Sequence, residues 1–222
     1  MIYVMSDIHG DMKRYRSVMA KIKLQDSDHL YILGDVIDRE PDGIAILSEL
    51  IKAKNVTVLL GNHEFMMLNA INGSIRYNPM GLWNNNGGMF TYQAFLAQSK
   101  EERNEILRYL SNLPLTKEIT VNGTDYLLTH SMPPDQYGKV FTKHIDRTDF
   151  SVWTRITKDT PVPKGKTLVF GHTPTEYYQD KIPFCIWHGD SKIGIDCGSG
   201  HRHEVCRLAC LRLNDMTEYY SD

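Results

Sequence analysis

The 222-residue sequence predicts an α/β protein with two packed sheets, and two patterns predict it. The first third alternates short apolar runs with segments of helical period, the β-α-β-α-β order of a parallel sheet. The second half is rich in short strands and carries a hairpin signal at Asn122-Gly123. A parallel half and a hairpin-rich half ask for two sheets face to face, and one domain over residues 1–222 is the expected count.

Ile2-Tyr3-Val4-Met5 reads as the first buried strand. Residues 12–22 follow at helical spacing through Tyr15, Val18, Met19 and Ile22, with Asp11 as N-cap. Leu30-Tyr31-Ile32-Leu33 is the second strand, and residues 43–51 form the second helix through Ile44, Leu47, Leu50 and Ile51. Val56-Thr57-Val58-Leu59-Leu60 is the third strand, continued by a helix over 64–71. Two more helices are expected over 84–112, ended by Leu113-Pro114. Residues 116–129 read as a hairpin and 131–165 as loop, given Pro133-Pro134 and Pro161-Val162-Pro163. From residue 166 strands dominate, at Leu168-Val169-Phe170, at Ile193-Gly194-Ile195-Asp196 and over 205–213.

Composition narrows the class. With 41% hydrophobic and 23% charged residues and a mean hydropathy of -0.37, the chain is ordinary for a soluble domain. Twenty-five basic against 27 acidic residues give -2, which argues against a nucleic-acid partner. Four cysteines are too few for a disulfide scaffold. No apolar run approaches the 18 or so residues of a membrane span, so no membrane partner is expected. The first residues have neither a basic segment nor a long apolar one, and a cytoplasmic enzyme without a signal peptide is the expectation. Oligomeric state has no signature in this sequence.

The chemistry gathers at strand ends. Five apolar runs each finish in a small or polar residue followed by potential metal ligands: Asp7 and His9, Asp35, Asn62 and His63, His130, and His172. Ligands of open α/β sheets sit beyond the carboxyl ends of the strands. Singly these signals are weak, since Asp-x-His after a strand is ordinarily a capped turn and His130 alone a core histidine. Five strand ends carrying ligand types together are a different matter. Carboxylate, amide oxygen and imidazole without thiolate suit Mn²⁺, Fe or Zn²⁺, and the set exceeds what one ion needs. Two divalent ions sharing a bridging carboxylate is the economical reading.

In order along the chain stand Asp7-Ile8-His9-Gly10, Gly34-Asp35-Val36-Ile37-Asp38-Arg39, Gly61-Asn62-His63-Glu64, His130 and Gly171-His172. This pattern resembles the calcineurin-like metallophosphoesterases, and more closely the phosphoprotein phosphatase family, above all its short bacterial and phage serine/threonine members of the bacteriophage lambda phosphatase type. Trp83-Asn84-Asn85-Asn86-Gly87-Gly88, Trp153-Thr154-Arg155 and Gly194-Ile195-Asp196-Cys197-Gly198 are similar to further blocks of that family, so the likeness runs over about residues 1–215. It implies a four-layer α/β/β/α sandwich of two mixed sheets flanked by helices. It also implies one metal on Asp7, His9 and Asp35, and another on Asp35, Asn62, His130 and His172. Arg39 and Arg155 would bind phosphate, His63 would be the general acid and Asp38 would orient it. The implied reaction is direct attack of a metal-bridging water on phosphorus, and the implied substrate a phosphoprotein or small phosphomonoester, with manganese the expected metal. A symmetrical dinucleoside tetraphosphate hydrolase shares these blocks. A catalytically inactive binding module on the same fold would have lost ligands that are all present.

Three positions depart from the family pattern: Ser6 where Gly is usual, Glu40-Pro41 after Arg39 where Gly is usual, and Leu60 where eukaryotic relatives carry Arg. None is an implied ligand. Cys197, His201, His203, Cys206 and Cys210 form a cluster of soft ligand types. On a strand, however, Cys206 and Cys210 would stand roughly 13 Å apart, so buried core thiols are expected. His29, His144 and His188 are expected at the surface or in supporting roles, and Lys13-Arg14-Tyr15-Arg16 on a solvated helix face.

Overall fold

The structure is a computed structural model and describes residues 1–73, 78–140, 143–144, 146–201 and 203–222. The first sheet is built from β1 (Ile2–Met5), β2 (His29–Ile32) and β3 (Val56–Val58), with α1 (Met12–Ile22) and α2 (Gly43–Lys52) as the crossovers. β1 pairs in parallel with β2, and β2 with β3, as the β-α-β-α-β reading requires. Asp11 caps α1 by accepting the Arg14 N–H at 2.9 Å. α3 (Asn62–Asn72) leaves β3, and then come α4 (Pro79–Asn85), α5 (Met89–Leu96) and α6 (Lys100–Ser111). The stretch expected to hold two helices thus contributes to three, because Gly87 and Gly88 break it and α4, capped by Asn78, reaches into its start.

The second sheet opens with the hairpin of β4 (Thr116–Val121) and β5 (Thr124–Thr129). Its turn residues Asn122 and Gly123 have φ of 50° and 81°, the left-handed pair of a type I′ turn. Between residues 131 and 165, α7 (Arg147–Trp153) corrects the expectation of loop: Asp146 caps it by accepting the Asp149 N–H at 2.8 Å. β6 (Lys166–Phe170), β7 (Trp187–Gly189) and β8 (Lys192–Gly194) complete the sheet in the order β4-β5-β6-β8-β7. β9 (Ala209–Arg212) and β10 (Thr217–Tyr220) return antiparallel beside β1, so the first sheet reads β10-β9-β1-β2-β3. β9 is shorter than the strand expected over 205–213, and β7 and β10 fall in the strand-dominated region from residue 166 at positions the sequence does not single out.

Strand alternation distributes the core over three layers. Tyr3, Met5, Leu30 and Ile32 face α1, α2, α3 and α6, whereas Val4, Tyr31 and Leu33 face the second sheet. There they meet Tyr126, Leu128, Val169 and Ile193. Leu127, Leu168 and Phe170 face outward onto Phe150 of α7. Both faces of the parallel strands are therefore covered, which is why these strands read as continuous apolar runs. The layers follow the order helix, sheet, sheet, helix, and both sheets are mixed.

Candidate metal centre and phosphate site

The carboxyl ends of β1, β2 and β3 meet those of β5 and β6 at one end of the sandwich. The β1 and β2 exits are stitched together by backbone bonds, Asp7 N–H to Gly34 O at 3.1 Å and His9 N–H to Asp35 O at 2.9 Å. The second sheet closes on them through His130, whose Nδ1 lies 2.7 Å from Leu33 O. Gly34, with φ of 97°, has no room for a side chain: a Cβ would sit 2.6 Å from the Gly61 nitrogen and 3.0 Å from His130 Nδ1.

Asp35 stands at the centre. Its Oδ2 is 3.8 Å from His9 Nε2 and 3.9 Å from His63 Nε2, and its Oδ1 is 3.6 Å from His130 Nε2. Two groups follow, His9–Asp35–His63 and Asp35–His130–His172, each with its ligand atoms within 4.8 Å of one another. Asp7 joins the first group through His9, with Oδ1 at 3.9 Å from His9 Nε2. Asn62, the first residue of α3, brings Oδ1 to 3.0 Å from His130 Nε2.

The tautomers fit a cation at both groups. Leu33 O accepts from His130 Nδ1, Ile37 O from His9 Nδ1 at 3.3 Å, and Trp153 O from His172 Nε2 at 3.3 Å. Carbonyl oxygens only accept, so each ring carries its proton there and turns a lone pair into the cavity. His130 Nε2 and Asn62 Oδ1 then face each other as two acceptors with no proton between them. Burial holds His9, His130 and His172 below the ordinary imidazole pKa, which keeps them neutral and able to ligate. Burial also pushes Asp35 up to about 7, and raises Asp7 well above the usual carboxylate range with help from the charges of Asp196 and Asp35. Crowded, desolvated carboxylates facing neutral imidazoles are a donor set short of positive charge, and divalent cations supply it.

Beside this cavity, His63 Nδ1 lies 2.7 Å from Asp38 Oδ2, which also accepts the Trp83 indole N–H at 2.8 Å. Thr91 Oγ1 accepts the Asp38 backbone N–H at 3.0 Å. Burial pushes Asp38 up to about 7 and His63 down to about 4. The ring is thus neutral, with its proton towards Asp38 and an acceptor lone pair at Nε2. Arg39 Nη2 lies 3.5 Å from that Nε2, and the Arg39 N–H is held by Gly87 O at 3.1 Å. Arg155 is exposed, with Nη1 donating to His172 O at 2.8 Å. The segments around Trp83 and Trp153 therefore act as braces for Asp38, Arg39 and His172.

Six of the twelve non-glycine residues with positive φ among the described residues are site candidates: Asp7, His9, Asp35, Asp38, Arg39 and His172, at 56°, 53°, 54°, 74°, 69° and 63°. Left-handed backbone of this kind gathers where surroundings over-determine it. Ser6, one of the departures from the family pattern, donates its hydroxyl to Asp7 Oδ2.

Three neighbours received no role at this site from the sequence, His201 having stood only in the cluster of soft ligand types. Glu64, fully buried, accepts backbone N–H groups from the Asp35 loop. Asp196 is buried beside Asp7 and accepts the Gly198 N–H at 2.9 Å. His201 brings Nε2 to 3.5 Å from Arg39 Nη1. The three clustered cysteines are buried as expected, Cys197 and Cys206 between the sheets and Cys210 on the helical side, although Cys206 precedes β9 and does not lie on it. His29, His144 and His188 pair away from the site with Thr57, Asp149 and Glu218. Arg14 corrects the expectation of a solvated face, since Nη1 donates to Ser199 O.

The family model of the calcineurin-like phosphoesterases matches residues 1–205, and the chain belongs to that family. It is 32% identical over 132 residues to a symmetrical bis(5'-nucleosyl)-tetraphosphatase of Acidovorax, covering 59% of this chain and 43% of that protein. It is 26% identical over 184 residues to serine/threonine-protein phosphatase 1 of Salmonella typhimurium, covering 81% of each. Among solved structures, a candidate diadenosine tetraphosphatase superposes over 99% of this chain and 91% of its own, with a TM-score of 0.65 at 16% identity. That likeness bears on the fold, and it matches the two mixed sheets flanked by helices. The chain spans about half the length of the first curated relatives it matches, 43% and 56%.

Proposed function

We propose that the chain is a dinuclear metal-dependent hydrolase of phosphomonoesters, with serine/threonine phosphoproteins as its substrate class and phosphotyrosine as a further substrate. The carrying observation is Asp35, whose two oxygens face two separate groups of neutral imidazoles. Asp7, His9 and Asp35 would hold one ion, and Asp35, Asn62, His130 and His172 the other. Two divalent cations bound there would supply Lewis-acid charge on the phosphoryl group and a nucleophilic water at neutral pH.

The protein's own groups do the rest. Arg39 and Arg155 bind and orient phosphoryl oxygens, for which a planar fork is better matched than an ammonium. His63 holds its resting proton at Nδ1 against Asp38 and presents Nε2 as an acceptor beside Arg39. Burial disfavours the imidazolium, so a dianionic phosphate beside Nε2 is what raises its proton affinity. A proton taken from solvent together with the dianion, at Nε2 and in place of the resting contact to Arg39, is then given to the leaving oxygen, while Asp38 balances the charge.

Extent of similarity favours the phosphatase reading, since the likeness to the Salmonella enzyme runs over 81% of both chains. The second reading, symmetrical hydrolysis of a dinucleoside tetraphosphate, is favoured by the 32% identity to the Acidovorax enzyme. One assay separates them: phosphate release with added Mn²⁺ from phosphopeptides and aryl phosphate, beside nucleotide release from diadenosine tetraphosphate. Turnover of phosphopeptides well above that of the dinucleotide supports the first reading, and the reverse order replaces it with the second.

A further inference from the structure

The Arg39 guanidinium stands between two imidazoles. Nη2 lies 3.5 Å from His63 Nε2, and Nη1 lies 3.5 Å from His201 Nε2. We infer that His201 is a positioning residue that fixes the Arg39 fork for the phosphoryl group. The inference rests on the assignment of Arg39 to phosphate made above.

An arginine only donates, so each ring nitrogen beside it must be an acceptor. His63 meets this requirement because its proton is spent on Asp38. His201 meets it as the Nδ1–H tautomer. Burial and the Arg39 charge both disfavour its imidazolium, in keeping with an accepting Nε2.

The loop that carries His201 is built to hold it there. Gly198, at φ of 79°, donates its N–H to Asp196 Oδ1 at 2.9 Å, and His201 N–H returns to Gly198 O at 2.8 Å. Ser199 Oγ donates to Ile8 O at 3.2 Å, and Ser199 O accepts from Arg14. These contacts tie the loop to the turn that presents Asp7 and His9. Gly200 then lies flat on the site, where a Cβ would fall 2.5 Å from His9 Cδ2 and 2.7 Å from Arg39 Cδ. The Arg39 stem is thus confined between Gly200 and Gly87, whose own Cβ would fall 3.1 Å from Arg39 Cγ. Confinement fixes the stem but leaves rotation of the planar head, and the two imidazoles bracket that rotation. A fork already turned towards its anion loses less entropy on binding it than a free one.

The test is binding of inorganic phosphate to the metal-loaded protein, by calorimetry and as a competitive inhibitor of nitrophenyl phosphate hydrolysis. His201 is exposed, so its replacement leaves the core intact. His201→Ala should weaken phosphate binding about three- to tenfold, the range of one hydrogen bond, and raise KM in proportion with metal content unchanged. His201→Gln, which keeps an acceptor, should recover most of the loss, and His203→Ala should match the parent. If Arg39→Ala weakens phosphate binding and His201→Ala does not, the role of His201 is overturned while that of Arg39 stands. Failure of His201→Gln to recover would likewise overturn it, because only bulk would then matter. If Arg39→Ala also leaves phosphate binding unchanged, the assignment of Arg39 falls and this inference with it.

Discussion

The Glu64 carboxylate grips the backbone of the Asp35 turn: Oε2 accepts the Asp35 N–H at 2.9 Å, and Oε1 accepts that of Val36 at 2.8 Å and of Ile37 at 3.3 Å. Oε2 also takes the Gly61 N–H at 3.1 Å. One buried side chain thereby sets the residue that faces both ligand groups and the residue that precedes Asn62. Glu64→Gln keeps the shape but turns an NH₂ towards backbone donors, leaving at least one of them unpaired. That costs about 1–3 kcal/mol. The variant should unfold several degrees lower in a thermal melt and hold fewer than two metal ions by elemental analysis. Unchanged melting and full occupancy would remove Glu64 from this role.

Asp35→Asn tests the shared carboxylate itself. The charge that lets two dications approach is lost, and repulsion between them rises as distance falls. Metal content should drop below two per chain and turnover should collapse. Two tightly held ions with normal turnover would mean that another group bridges them.

His63 and Asp38 call for a leaving-group test. A serine alkoxide leaves badly unless protonated, whereas nitrophenolate needs little help, and general acid catalysis is typically worth about 10²–10⁴-fold. His63→Asn should keep its metal and lose far more activity on phosphoserine peptides than on nitrophenyl phosphate. Asp38→Asn should show a weaker version of the same split. His63 also stands within ligand distance of His9 and Asp35, so equal losses on both substrates with reduced metal content would make it a ligand instead.

Arg155→Lys should raise KM and lower kcat/KM, since a bidentate contact is lost while a charge remains. The side chain is exposed and tied to the protein through His172 O, so stability should hardly change. Kinetics equal to the parent's would take Arg155 out of the site.

The pH dependence of metal uptake follows from Asp35. Burial pushes its carboxyl up to about 7, so below that pH the metal-free chain carries a proton there that a cation must displace. Apparent Mn²⁺ affinity should fall as pH drops through 7, with more proton release at about pH 6 than at about pH 8, and Asp7, whose carboxyl burial also raises, adds to the release. The proposed ligand histidines, held neutral by burial, add no release of their own across that window. Calorimetry in buffers of different ionisation enthalpy checks the count, and equal release at both pH values would contradict the shift. Excess chelator should abolish activity and Mn²⁺ restore it.

Much of this candidate site was legible because its proposed ligands sit where apolar runs stop. Asp7, Asp35, His130 and His172 each follow a strand that is buried on both faces, and such strands announce themselves without alternation. The N-terminal helices were equally plain from their spacing. α7 was missed because its seven residues carry too few turns for a period, and its cap pairs Asp146 with Asp149 locally. β7 and β10 are edge strands of three and four residues, half polar, with no pattern of their own. Glu64 read as a helix residue because three of its four backbone partners lie 27 to 29 positions earlier, which no side-chain pattern reveals. His201 was weighed as a soft-metal ligand beside cysteines, yet its partner is an arginine 162 positions away.

The six left-handed backbones at Asp7, His9, Asp35, Asp38, Arg39 and His172 carry a consequence for variation in this chain. Each non-glycine residue held at positive φ costs folding free energy, and glycine at the same place does not. Replacing one of these side chains with glycine therefore removes a reactive group and relaxes the chain in one step. Thermal survival and loss of turnover can then rise together, so that a library sorted only by heat resistance would drift towards inert members.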